Sequence, residues 1–160
     1  MANRAIWGAG AFLGAVLSVA VPMAMSQPQK KPGAQAMASV VVHHFDQEAV
    51  EKHEWGEIHW MMSRKIDSGS AQTFGVVQIN AGQKNALHSH PNCEEILYVL
   101  SGSCEHLIGD KKVTLHAGDL IRVPAGVKHQ ATVLGKEPLR AVISYSSGDR
   151  QVTNYGSVIE

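Results

Sequence analysis

The chain has 160 residues, of which 44% are hydrophobic and 18% charged, enough for one modest core and too few for several large domains. Its 14 Lys and Arg balance its 14 Asp and Glu. That balance draws neither nucleic acid nor an anionic membrane, so small neutral or weakly charged molecules are the natural partners.

In chain order, Arg4 precedes an apolar run rich in Ala and Gly over residues 5–21, closed by Pro22. This pattern reads as an export signal over residues 1–26, with Ala24-Met25-Ser26 as a cleavage site of small residues and Ala34-Gln35-Ala36 as a second. The expectation is an exported protein, periplasmic or secreted. The alternative is an uncleaved N-terminal helix that anchors the chain to a membrane. With the signal cleaved, no stable membrane insertion is expected. Residues 27–39 carry Pro, Lys, Gln and Ala without periodicity and read as a disordered linker. Residues 40–160 then form a single domain.

Within that domain residues 40–44 are β-like, and Asp46 is placed to cap a short helix running to about His53. Strands follow over 57–64, 73–80, 86–90, 95–100, 104–108, 112–116, 120–123, 129–134 and 139–145. Short strands separated by Gly, Pro, Asn and Asp predict an all-β, antiparallel barrel. Gly109-Asp110 marks one hairpin turn and Ala117-Gly118-Asp119 another. The polar residues after Ser146 read as a tail or as an edge strand packed on a partner. Cys93 and Cys104 are the only cysteines. A hairpin turning near Gly102 separates them by roughly 20 Å, beyond the ~7 Å Cα limit of a disulfide, so two free thiols are expected.

The chemistry is concentrated between Gly82 and Gly102, where His88, His90 and Glu95 stand in the spacing G-x5-H-x-H-x4-E-x6-G. Residues two apart on a strand share a face, so His88 and His90 point the same way, and Glu95 returns to them after a short loop. His129 ends a second pattern, Gly118-x5-Pro124-x-Gly126-x2-His129, which reads as strand, turn, strand. Three imidazoles and a carboxylate make a metal site. A lone histidine on a strand is ordinarily a surface or hydrogen-bonded residue, but this combination rarely arises by chance.

Both patterns resemble the two motifs of the cupin superfamily, in the right order, over residues 72–146. The resemblance implies a single-domain, metal-binding cupin of the quercetinase-like type, a jelly-roll barrel (the cupin double-stranded β-helix). It also implies that His88, His90, Glu95 and His129 are the metal ligands. Glu94 is adjacent to Glu95, and the six residues before Gly102 favour Glu95. Val133 stands where the second motif often has Asn, which is not a ligand position.

Imidazoles plus a carboxylate with open positions suit one divalent transition metal, Mn or Fe in preference to Ni, Co or Zn. Occupancy should fall below roughly pH 6, because ligation needs neutral imidazoles. Alternation turns Leu97 and Val99 inward with Glu95, and hairpin register sets His106 opposite Leu97, from where its ring could reach substrate. Trp60, Met62, Phe74 and Gln78 are weaker candidates for the pocket walls, with core positions as the alternative. His43, His44, His53 and His59 lack a shared spacing and read as surface or dimer-contact residues.

Cupins with this ligand set include dioxygenases, oxalate-handling enzymes, sugar isomerases and lyases. The reading favoured here is a metal-dependent enzyme acting on a small oxygen-rich substrate, dioxygenase-type, with Glu95 as proton acceptor. The alternatives are a sugar isomerase or lyase, and a non-catalytic periplasmic cupin that binds a metal or a sugar. The apolar neighbours Leu97, Val99 and Val133 weigh toward binding alone. The family resemblance further implies a homodimer, since exposed strand edges need covering.

Overall fold

A computed structural model describes residues 42–45 and 49–156. The signal segment and the linker lie outside the described residues. Among the described residues eleven strands are formed: β1 (Ala49–His53), β2 (Gly56–Met62), β3 (Thr73–Ile79), β4 (His88–Ser89), β5 (Glu95–Ser101), β6 (Ser103–Ile108), β7 (Lys111–His116), β8 (Leu120–Val123), β9 (His129–Val133), β10 (Leu139–Tyr145) and β11 (Thr153–Asn154). They build two sheets, ordered β1-β2-β3-β10-β5-β8 and β11-β4-β9-β6-β7. Every pairing is antiparallel. The fold is the all-β jelly roll that the strand pattern and the family resemblance predict.

Strict alternation explains where the core sits. In β10 the residues Leu139, Ala141, Ile143 and Tyr145 are buried while the residues between them are not. The same period places Thr73, Gly75, Val77 and Ile79 inward on β3. It does the same for Glu95, Leu97 and Val99 on β5. Branched and aromatic side chains on a half-buried pleat give these strands their stability. Both cysteine thiols are free and buried in this core.

Five expectations are corrected. The short helix is not formed: Asp46 lies outside the described residues, and Ala49–His53 is an edge strand paired with β2. Val42 to His44 form no strand. The segment after Ser146 does not wait for a partner, because Thr153 and Asn154 pair with Ser89 and His88 of the same chain.

The fourth and fifth concern Gly102 and Gly118. β5 and β6 are not a hairpin, since β5 lies between β10 and β8 while β6 lies between β9 and β7. A one-residue link is too short for the two-residue turn of a tight hairpin, and Gly102, at φ +80°, carries the chain from one sheet to the other. The turn expected at Ala117-Gly118-Asp119 is likewise no hairpin: Gly118, at φ +94°, carries the chain from β7 in one sheet to β8 in the other. Asp119 ties that corner with its side chain, accepting the His116 amide at 2.7 Å. Gly109-Asp110 is the hairpin turn it was expected to be, with β6 and β7 paired from Ser103↔His116 to Ile108↔Lys111.

Candidate metal centre

The four motif residues converge from both sheets. His88 on β4 is registered directly opposite His129 on β9, which sets their ring centroids 4.1 Å apart. His90 follows just beyond β4, its ring 5.0 Å from His88 and 5.2 Å from His129. Glu95 opens β5 in the opposite sheet and points across the barrel. Among the described residues these four form a group whose ligand atoms all lie within 4.8 Å of one another. His90, Glu95 and His129 are buried, and His88 is partly open to the cavity. Glu94 is turned away, paired with Arg122 at 2.6 Å on the outer surface.

The hydrogen bonds fix which nitrogen each histidine presents. His88 Nδ1 donates to Ala86 O at 2.8 Å, His90 Nδ1 to Gln151 O at 2.9 Å, and His129 Nδ1 to Val127 O at 2.9 Å. A backbone carbonyl can only accept, so each Nδ1 carries the proton and each Nε2 of a neutral ring offers a lone pair. Glu95 Oε2 lies 3.1 Å from both His90 Nε2 and His129 Nε2. Lone pairs facing a carboxylate oxygen at that distance repel unless a proton or a cation stands between them.

Electrostatics describe the balance without metal. Burial would raise the Glu95 pKa, but hydrogen bonding to His129 and His90 outweighs it and draws the carboxyl below its usual range. His129 moves the opposite way: burial works against its charge, and Glu95 prevails and raises it. His88 is pushed down to about 4, by burial first and then by the neighbouring His129, so its ring is neutral at physiological pH. Three preset Nε2 donors, one of them held neutral, and a carboxylate ionised at neutral pH fit a divalent cation.

A cavity of about 240 Å³ adjoins the cluster, at the small end for ligand sites. His88, Glu95 and His129 line it at one end, with apolar walls from Val77, Ile79, Leu97, Ala131 and Ile143. His106 lines it too, 1% exposed, with Nδ1 lacking a hydrogen-bond partner. Burial lowers its pKa to about 4, which keeps the ring neutral. The expected inward position of His106 therefore stands, but not its register: it pairs with Val113 and Ala131, not Leu97. Its side chain enters because buried positions alternate along β6, where Cys104 and His106 face inward.

None of Trp60, Met62, Phe74 and Gln78 lines this cavity. On β3 the alternation that buries Val77 and Ile79 turns Phe74 and Gln78 outward. Trp60 packs against the core instead, its indole donating to Glu51 at 2.8 Å. His53 is exposed, as expected, and also lines the cavity, stacked on Trp55 at 4.4 Å.

Polar lining residues that the sequence reading missed are Glu51, Tyr145, Arg150, Asn85 and Asn154. Tyr145 shares the inward parity of Ala141 and Ile143, a signal that could have found it. Burial, reinforced by the Glu95 charge, raises its hydroxyl well above the ordinary phenol range, so it keeps its proton. Arg150 lies in a stretch without periodicity and left no signal. The polar shell whose absence had favoured mere binding is thus present.

Residues 75–145 match the family model described as Cupin domain, a span that contains all four convergent residues. The chain contains a cupin domain. It is 27% identical over 99 residues to an uncharacterized protein of Methanocaldococcus jannaschii, covering 59% of this chain and 79% of that one. It is 24% identical over 98 residues to Protein SchB of Streptomyces halstedii, covering 61% and 71%. Among solved structures, oxalate decarboxylase of Lactobacillus farciminis in complex with formate superposes with a TM-score of 0.66 at 20% identity, covering 70% of this chain and 35% of that chain. Oxalate decarboxylase of Bacillus subtilis, whose Mn(II) centres have been studied, gives 0.65 at 21% identity, covering 69% and 31%. The cupin domain thus spans about a third of the length of these two decarboxylases, and the likeness to them is one of fold.

Proposed function

We propose that this cupin is a metal-dependent enzyme in which His88, His90, Glu95 and His129 hold one divalent transition metal beside a small organic substrate. A dioxygenase-type reaction is the finer reading. The observation that carries the metal-dependent reading is the set of three Nδ1–H···O=C bonds, which aim three Nε2 lone pairs at the space in front of Glu95 Oε2. Mn or Fe is favoured over Ni, Co or Zn on the mixed imidazole and carboxylate set, and the Mn(II) centres of the Bacillus subtilis decarboxylase support Mn. When bound, the metal supplies Lewis acidity and, for Mn or Fe, one-electron chemistry toward O2.

The chain's own residues do the rest. Tyr145, protonated and packed against Glu95 and His90, holds the carboxylate in place. Glu95 is the proton acceptor nearest the substrate. His106, neutral and with an unused ring nitrogen, offers a hydrogen bond to a substrate oxygen. Val77, Ile79, Leu97 and Ile143 keep the opposite wall dry, which suits a substrate with one oxygen-bearing edge and an apolar body. A sugar, with hydroxyls on every side, would leave several without partners against such walls, which argues against a sugar isomerase.

We place the working protein outside the cytoplasm, periplasmic or secreted, as a homodimer. Exposed Ile96, Tyr98, Leu100 and Leu120 on the outer face at the β5–β8 edge support a second copy there. The test is O2 consumption by protein loaded with Mn or Fe, on a panel of aromatic and aliphatic oxygen-rich acids and enols. Wild type should turn over, and His88→Ala should lose both metal and activity. Turnover that persists in metal-free His88→Ala would overturn the proposal, and binding of metal and ligand without turnover would favour the non-catalytic reading.

A further inference from the structure

Arg150 stands outside the matched residues 75–145, yet it is part of the cavity lining. It lies over the Trp60 ring at 4.5 Å and over the Tyr145 ring at 5.0 Å. Stacking of this kind leaves the in-plane N–H donors free. Among the described residues no carboxylate forms an ion pair with it. The acids that line the cavity are otherwise engaged: Glu51 accepts the Trp60 indole and meets His53 at 3.1 Å, and Glu95 faces His90 and His129.

The segment carrying Arg150 is anchored on both sides. Asn92 donates to Asp149 O at 2.7 Å and accepts from the Gln151 amide at 3.0 Å. Beyond it, β11 pairs with β4, and the Tyr155 amide donates to Leu87 O at 2.9 Å. A planar cation is thus fixed at the wall by two aromatic faces and a pinned backbone, and five donors await a planar anion.

We infer that Arg150 selects the substrate by binding its carboxylate, with the rest of the molecule lying along the apolar wall toward the four convergent ligands. The inference deepens the proposed function and rests on it for the identity of the cavity as the substrate site and for the cation's share of the charge there. Charge supports it: a divalent cation together with Arg150 outweighs Glu95 and Glu51, so an anion is favoured in the cavity.

Benzoate and benzamide are matched probes, equal in shape and differing in charge, and titration calorimetry reads both on the full chain before and after chelation. Arg150→Met keeps the apolar stack and removes the charge. It should weaken benzoate roughly ten- to hundredfold and leave benzamide within about twofold. Arg150→Lys, which keeps the charge and loses the fork, should fall between. Far-UV circular dichroism and melting curves verify that both variants fold, and the Lys variant decides alone if the Met variant does not. Benzoate bound equally by wild type and either folded variant overturns the inference, as does the absence of saturable benzoate binding in the wild type. Binding abolished by chelation but indifferent to Arg150 would sink this inference and leave the metal centre standing. Arg150-dependent binding that survives chelation would sustain it even if no metal is held.

Discussion

His90 and Gln151 are joined by a hydrogen bond, the imidazole Nδ1 donating to the Gln151 carbonyl at 2.9 Å over a separation of 61 positions. The aim of the His90 imidazole is therefore set by a segment that lies beyond residues 75–145 of the cupin match. Asn92 holds that segment through both of its amide atoms. Orienting partners of this kind tune a metal site from behind its ligands.

Asn92→Ala should therefore weaken metal binding, by about tenfold to hundredfold, although Asn92 is not among the four convergent residues. Competition against a chelating dye measures the affinity. An unchanged affinity would mean that His90 is held by its own strand and loop alone.

The pH dependence of the metal-free protein has a defined sign. Burial lowers His88 and His106 from 6.5 to about 4, so between those values the unfolded chain binds more protons than the folded one. Stability then falls as pH drops through that window. His129 is raised, so its contribution is fully present below its unfolded pKa and is lost as pH rises above it. Chelated protein should show a stability maximum near pH 6.5 in urea titrations. Loaded protein should lose metal on acidification below roughly pH 6. A chelated protein equally stable at pH 4.5 and 6.5 would contradict the buried, neutral state of both rings.

His106→Leu separates function from folding. Replacing a buried ring whose Nδ1 has no partner with an apolar side chain removes an unsatisfied group. The melting temperature should stay level or rise, while turnover of the loaded protein falls by about tenfold or more. A large loss of stability would show that the ring serves packing.

Two glycines at positive φ test the corner geometry. At Gly118 a Cβ would meet nothing within 4 Å, whereas at Gly102 it would lie 2.5 Å from Pro138 O. Gly118→Ala should cost about 1–2 kcal/mol for the left-handed backbone alone, and Gly102→Ala about 1–3 kcal/mol more for the added overlap with backbone. Chemical denaturation of both variants checks the order. Equal losses would mean that the corner at Gly102 can relax.

Local rules read from the chain located most of the strands and the inward faces of Leu97, Val99 and Glu95, because a period of two is imposed by the pleat itself. The spacing of His88, His90, Glu95 and His129 singled out the site before any coordinate, since ligand chemistry restricts the residue types that can serve. Three features were decided only by the folded chain: which strands neighbour one another, that Ala49–His53 extends rather than coils, and that Arg150 and Tyr145 share a cavity beside the four convergent residues. Pairing across two sheets depends on how each corner glycine redirects the backbone and on which edge is free to accept a strand. Those contacts join residues far apart in sequence, and no nearest-neighbour preference encodes them.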